Sequence, residues 1–207
     1  MKKAFSVRRG PAAVLMAVLL LPDSFGLAAI AAKTPNSSLT SILIVAQDVV
    51  SDPNFGGSIV VVMNNLGPAP VGIIVNRPMP LPVSRLFPNL KRLAQVQDKV
   101  YFGGPVEFGT LWYVFRAKTS PASTLAFQVC DGVYVSSDQK LLLKLLSRPK
   151  PMEGLRIFIG HAGWAPGQLQ AEIQGGAWLP RRADADSIFN AKPQVPWPSR
   201  RAPKSGT

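Results

Sequence analysis

The chain of 207 residues contains one cysteine and one histidine. A lone Cys130 closes no intrachain disulfide. Cys130 and His161 together are too few to fill the four-ligand sphere of a structural zinc. No G-x-S-x-G elbow, Walker glycine spacing, dinucleotide fingerprint or Cys–His signature occurs, so the residues imply no metal and no cofactor. Acidic residues are scarce, 11 against 23 Lys and Arg, for a formal charge of +12. A comfortable membrane span is also missing, because the apolar run "PAAVLMAVLLLP" is too short for one. Twenty prolines and 17 glycines exclude an architecture of long helices and favour short elements joined by turns.

What is present begins with a targeting pattern. Lys2, Lys3, Arg8 and Arg9 form a basic start, the apolar run follows, and Ala29 and Ala31 stand as an A-x-A cleavage signal. Residues 1–31 therefore read as a signal peptide or N-terminal targeting segment. That places the chain in an exported, periplasmic location if cleavage occurs, and otherwise in the cytoplasm. Removing the four basic residues and one acidic residue of this segment leaves 19 basic and 10 acidic residues, or +9. Much of that excess lies in Arg181, Arg182, Lys192, Arg200, Arg201 and Lys204. The stretch 191–207, proline-rich and basic, reads as a poorly ordered tail able to attract polyanions without specificity.

Between these ends lies a mixed α/β domain, residues 32–190. "ILIVA", "SIVVVM" and "VGIIVN" are apolar on both faces, which predicts strands of a sheet covered on both sides. "RPMPLPVSRLFPNL" holds room for one helical turn around Val83–Phe87. "KVYFGG" and "LWYVFRA" are expected as strands around a "GGPVEFG" turn. Asp131–Gly132 marks a tight hairpin. "SSDQKLLLKLLSRP" changes to a helical period, capped by Ser136 or Ser137, with Leu141, Leu142, Leu145 and Leu146 on one face. "LRIFIG" is a strand. "APGQLQAEIQGG" is a helix with Pro166 in its first turn and Gly175–Gly176 at its end. "DADSIFN" allows a last helical turn.

Taken jointly and in order, "DPNFGGSIVVVM", "VGIIVNRP", "VYFGGPV" and "GHAGWAPGQLQAEIQGGAWL" resemble the YqgE/AlgH family, over about Ile42 to Asn190. The resemblance implies a compact α/β fold with a mixed sheet, hairpins and a few covering helices. It attaches no secure reaction or ligand, although some members are labelled transcriptional regulators. The chain departs from the family where Asn64–Asn65 and Phe115–Arg116 replace frequent histidines. His161 stands where an aromatic residue is usual, and the tail replaces the usual C-terminal helix.

Candidate site residues come from three places. Gln168 and Glu172 share a helix face at the mouth of a strand–turn–helix unit, beside Trp164. They either serve a ligand or hydrogen-bond loop backbone, and the second reading weighs more. His161 has a ring suited to general-base work, but no nucleophile pairs with it in the sequence. Asn76 and Arg77 of "NRP" and Gly103 and Gly104 of "GGPV" are more architectural, with Arg77 able to grip an anion in a bidentate way. The expected ligand surface lies between the "NRP" turn, the "GGPV" turn and the Trp164–Glu172 corner. Cys130 reads as a small apolar residue rather than a reactive thiolate.

The chain is thus expected to be a non-enzymatic binding or regulatory protein, taking a protein partner or a small anionic ligand. Two other classes stay open: an enzyme using Glu172, His161 or Arg77, and a basic binder of nucleic acid or anionic surfaces. The targeting segment is tested by mass spectrometry of protein from the native host. The mature chain should begin near Ala32, and an intact N-terminus in the cytosolic fraction would refute export.

Overall fold

A computed structural model describes residues 41–64 and 66–192. The expected targeting segment, Asn65 and the basic tail beyond Lys192 lie outside the described residues. The mixed α/β expectation holds. The strands are β1 (Ser41–Ala46), β2 (Ile59–Met63), β3 (Val71–Ile74), β4 (Pro78–Pro82), β5 (Lys99–Phe102), β6 (Val106–Arg116), β7 (Ala126–Cys130), β8 (Val133–Ser136), β9 (Leu155–Gly163) and β10 (Trp178–Arg182). Four short helices accompany them: α1 (Val83–Leu86), α2 (Gln139–Leu146), α3 (Gln168–Gln174) and α4 (Ala185–Phe189). No helix among the described residues is long and apolar enough to cross a membrane.

The main path of the sheet runs β10-β1-β2-β3-β9-β6-β8-β7, and it curls until β7 approaches β1. The double-faced apolar runs explain the curl. Val61 and Met63 of β2 face the interior with Leu43, Ile73, Val114, Val135 and Phe158, and α4 closes this interior with Ile188. Val60 and Val62 face outward and pack under α3 with Trp164, Leu169 and Trp178. On the other flank, Leu142, Leu145 and Leu146 of α2 cover Tyr113, Phe115 and Ile157. Every strand residue of β2 from Val60 to Met63 is therefore buried, as a sheet covered on both sides requires.

β9 organises the centre. One of its edges pairs with β6 over Leu155–His161. The other edge is shared, with β5 parallel at Phe158–Ile159 and β3 antiparallel at Ala162–Gly163. The change of partner falls at Gly160, which takes φ 70°. Gly104, at φ 151°, crosses it so closely that a Cβ on Gly160 would lie 2.3 Å from the Gly104 carbonyl oxygen. A Cβ on Gly103 would lie 2.3 Å from the Gly160 oxygen, and one on Gly104 would lie 2.2 Å from the His161 carbonyl. Gly103 also joins the neighbouring strands, donating to Ile159 O and accepting from Ile74 N.

Several local expectations change. β5 and β6 form no hairpin around "GGPVEFG"; both are neighbours of β9, because the two glycines carry the chain across β9. β6 begins already at Val106 and bulges between Val106 and Leu111. "RPMPLP" contributes β4, which tolerates its prolines because it pairs only with β5, at Pro78–Tyr101 and Pro82–Lys99. α2 is capped by Asp138, whose carboxylate accepts from the amides of Lys140 and Leu141; Ser136 Oγ instead accepts from Asp138 N. α3 starts after Gly167, at φ 79°, so Pro166 precedes the helix rather than occupying its first turn. β10 has no counterpart in the apolar-run reading, since only Trp178 of its five residues is buried. At the β7–β8 hairpin, Gly132 has positive φ.

The glycine crossing generates a paired prediction. Gly160→Ala forces a non-glycine residue into the left-handed region, about 1–2 kcal/mol by itself, with the overlap against Gly104 added. Gly109→Ala, whose new Cβ meets nothing within 4 Å, should leave stability unchanged within about 0.5 kcal/mol. Denaturant midpoints of the two variants check this.

Candidate functional site

The three expected regions divide between two seams: the "NRP" turn and the Trp164–Glu172 corner share one, and the "GGPV" turn lies with His161 on the other. The first seam starts at Glu172 on α3. Its Oε2 accepts from Trp164 Nε1 at 2.9 Å and from Trp178 Nε1 at 2.8 Å. Its Oε1 accepts from Gln168 Nε2 at 2.9 Å, and Gln168 Oε1 accepts from the Ala165 amide at 2.9 Å. The spacing of four residues sets both side chains on one helix face. The two indoles lie edge to face, with centroids 6.1 Å apart. Both are buried, so a carboxylate that answers both N–H groups removes two desolvation costs at once.

Phe55 extends this seam, 6.4 Å from Trp164 and 5.9 Å from Trp178 between centroids. The loop carrying Phe55 is held from the "NRP" turn. Arg77 Nη1 donates to Pro53 O at 3.0 Å and Nη2 to Gly56 O at 2.9 Å. Asn76 Oδ1 accepts from the Ile59 amide and its Nδ2 donates to Gly57 O. Pro78 keeps Arg77 extended, and Arg77 O accepts from Phe102 N, just ahead of the glycine pair. Asn76 and Arg77 are buried. The side chains of Asn76, Arg77, Trp164, Gln168 and Glu172 thus hydrogen-bond to the protein itself.

The second seam is the glycine crossing, where Gly103 and Gly104 lie against Gly160 and His161. His161 is buried, and its Nδ1 has no hydrogen-bond partner among the described residues. Glu107 Oε2 lies 3.9 Å from that nitrogen, beyond hydrogen-bond range. Burial pushes the imidazole pKa below its usual 6.5, with Glu107 pulling weakly the other way. The folded ring is therefore neutral at pH 7. Below about pH 6.5 the unfolded chain takes up a proton that the folded chain resists, so this residue's contribution to stability is lost toward acid. Trp112 of β6 packs beside it, ring centroids 5.7 Å apart, and its Nε1 is also buried without a partner among the described residues.

Cys130 is half-buried, and burial, then Asp184 and Asp131, push its thiol pKa up. Tyr113, pushed up to about 12 by burial, donates its hydroxyl to Asp138 O at 2.9 Å. Among the described residues no group of three or more His, Cys, Asp or Glu is placed to hold a metal. A separate groove of about 1120 Å³ opens at the C-terminal end of α2, lined by Arg116, Lys118, Asp131, Arg148, Lys150 and Glu153 among others. None of the eight predicted site residues lines it. Its cations are partly engaged: Arg148 donates to Leu145 O, Pro151 O and Glu153 O, and Lys150 lies 3.8 Å from Glu153.

Sequence reasoning missed Trp112, Glu107 and Phe55. Trp112 stands in an ordinary-looking strand, and only its pairing opposite Phe158 brings it to His161. Glu107 adjoins the "GGPV" motif, and Phe55 lies within "DPNFGG", so position beside glycine was the available signal.

The curled mixed sheet with β9 at its centre is a fold that comparison with known proteins assigns to one bacterial family. The AlgH-like family profile (DUF179) matches residues 42–202, and the chain belongs to that family. Among similar proteins, a UPF0301 protein of Anaeromyxobacter sp. (strain Fw109-5) is 32% identical over 171 residues, spanning 78% of this chain and 85% of its own. Another from Anaeromyxobacter dehalogenans (strain 2CP-C) is 30% identical over 173 residues, spanning 80% and 87%. The solution structure of the AlgH protein from Pseudomonas aeruginosa is similar at TM-score 0.60 and 25% identity, covering 77% of this chain and 86% of that one. A crystal structure of a protein from Corynebacterium diphtheriae shares the fold at TM-score 0.56 and 22% identity, covering 74% and 80%.

The first seam predicts a stability pattern. Glu172→Ala strands two buried indole donors and should cost about 1–3 kcal/mol. Trp164→Ala opens a cavity under α3 and should cost more, about 3–5 kcal/mol. Chemical denaturation measures both, and a Glu172→Ala protein of unchanged midpoint and slope would contradict the structural role.

Proposed function

We propose that this chain is a non-enzymatic binding protein and that its ligand contacts lie at the glycine crossing, around Gly103, Gly104 and His161. The observation that carries this is the contrast between the two seams. Glu172, the strongest candidate acid or base, accepts three hydrogen bonds from its own protein. Of the predicted polar side chains, His161 is the one with a buried nitrogen that no described residue answers. Buried polar groups are normally paired, so such exceptions concentrate where something else is recognised. Asn76, Arg77, Trp164, Gln168 and Glu172 take part by fixing the backbone on which the crossing is built.

A second reading, binding of nucleic acid or another polyanion, is favoured by the groove at the end of α2, where Arg116, Lys118, Arg148 and Lys150 gather. Asp131 and Glu153 in the same wall weaken its field. Export through residues 1–31 is part of our first reading. A regulator acting on DNA would have to remain in the cytoplasm, so the two readings separate by location as well as by ligand.

The test is a nuclear magnetic resonance screen of the protein against mixed carboxylates, phosphates, amides and sugars, run beside Glu172→Gln protein. The binding reading expects shifts around Gly103, Gly104 and His161, no compound consumed, and the same shifts in the variant. Consumption of a compound that Glu172→Gln abolishes would establish the enzyme reading instead. Duplex DNA binding that falls steeply with salt and survives deletion of residues 191–207 would establish the second reading.

A further inference from the structure

Three features meet where β6 bulges over Gly160. Trp112 Nε1 and His161 Nδ1 are buried, belong to neighbouring rings, and have no hydrogen-bond partner among the described residues. Glu107, 3.9 Å from His161 Nδ1, is the one non-glycine residue among those described with positive φ, at 47°. Its neighbour Phe108 is half exposed, 50%, and stands against Phe102. A non-glycine residue in the left-handed region and unanswered buried polar atoms are both costly states, and such states gather at functional sites. β6 residues 107–110 lie between the Val106–His161 and Leu111–Ile159 pairs, with only Gly160 opposite them. Glu107 and Thr110 contact each other weakly there, at 3.4 Å. This bulged segment, with Gly109 in open space, places Glu107 beside His161 Nδ1.

Resting on the binding reading above, we propose that Trp112, His161 and Glu107 recognise the hydroxyl groups of an uncharged polyol or saccharide. The indole N–H only donates, and the Glu107 carboxylate only accepts. A neutral imidazole does one of each, through its two nitrogens. Adjoining hydroxyls, each able to give and take a hydrogen bond, satisfy that set. A carboxylate or phosphate ligand meets the Glu107 charge with no compensating cation from the neutral His161. A cationic ligand pairs with Glu107 but leaves the indole donor unanswered. The exposed face of Phe108 supplies an apolar surface for the carbon side of a sugar ring.

The experiment follows the Trp112 indole and His161 ring resonances of the full chain during titration with neutral mono- and disaccharides and polyols. Gluconate and glucosamine serve as anionic and cationic counterparts. At least one neutral compound should shift both resonances saturably at millimolar concentration, and about tenfold more tightly than either charged one. Trp112→Phe and His161→Phe each keep an aromatic ring and remove its nitrogen hydrogen-bonding groups, one from the indole and two from the imidazole, and each should weaken binding about fivefold to tenfold. Glu107→Gln, at an exposed position, should weaken it without changing the melting temperature. No saturable shift with any neutral compound, or a shift retained in both ring variants, would overturn the proposal. If a charged compound alone moves these resonances, the ligand class is wrong and the binding reading stands. If nothing in any class moves Gly103, Gly104 or His161, both are wrong.

Discussion

The close crossing of Gly103–Gly104 over Gly160–His161 is the constraint on which the rest of the structure depends. One edge of β9 must serve a parallel neighbour, β5, and then an antiparallel one, β3, within a few residues. That exchange brings two backbones to distances that no Cβ permits. Once glycine allows it, Gly103 ties Ile74 to Ile159, so three strands share one node. The same crossing forces β6 to bulge past Gly160, which lifts Glu107 and Phe108 out of the sheet and leaves Trp112 beside His161. The partner exchange of β9 and the unanswered nitrogens beside the bulge thus have one local origin.

Around that node the chain divides its polar residues by task. Arg77 and Asn76 pin the loop that delivers Phe55, and Glu172 receives the two indoles that Phe55 packs against. A charged group on carbonyls and a carboxylate on indole donors are stronger hydrogen bonds than neutral pairs, which suits load on short elements. α3 has only seven residues, too few to be stable by propensity, and it stays in place because Leu169, Trp164 and Glu172 hold it to the sheet. Similar logic governs Arg156, which donates to the carbonyls of Ile188 and Phe189 and lies 4.8 Å over the Tyr101 ring, fastening α4 across the interior.

Much of this was legible in the sequence, for reasons that differ by element. The runs "SIVVVM" and "VGIIVN" announced strands buried on both faces because both alternate positions are apolar. α2 was legible from its leucine spacing, and its cap was misplaced by one or two residues because three adjacent residues, Ser136, Ser137 and Asp138, are all good caps. The helix pair Gln168 and Glu172 was placed on one face, but its indole partners depend on β10, which alternates too weakly to be seen. That β5 and β6 each pair with β9 rather than with each other was hidden because a glycine pair in a turn and a glycine pair at a crossing read alike. Trp112 was hidden because a bulge has no local sequence mark and strand register decides what it faces; Glu107 was marked only by its place after "GGPV".

The corner at Glu172 is sealed by hydrogen bonds, whereas the buried nitrogens of His161 and Trp112 have none among the described residues and lie beside the bulge of β6. Hydrogen exchange of the assigned tryptophan indoles separates the two. Trp164 and Trp178, bonded to one carboxylate at 2.9 and 2.8 Å, should exchange only through large openings of the domain. Trp112 Nε1, buried but unbonded among the described residues, should exchange much faster, through local movement of residues 107–110. An indole of Trp112 protected as strongly as those of Trp164 and Trp178 would contradict the account.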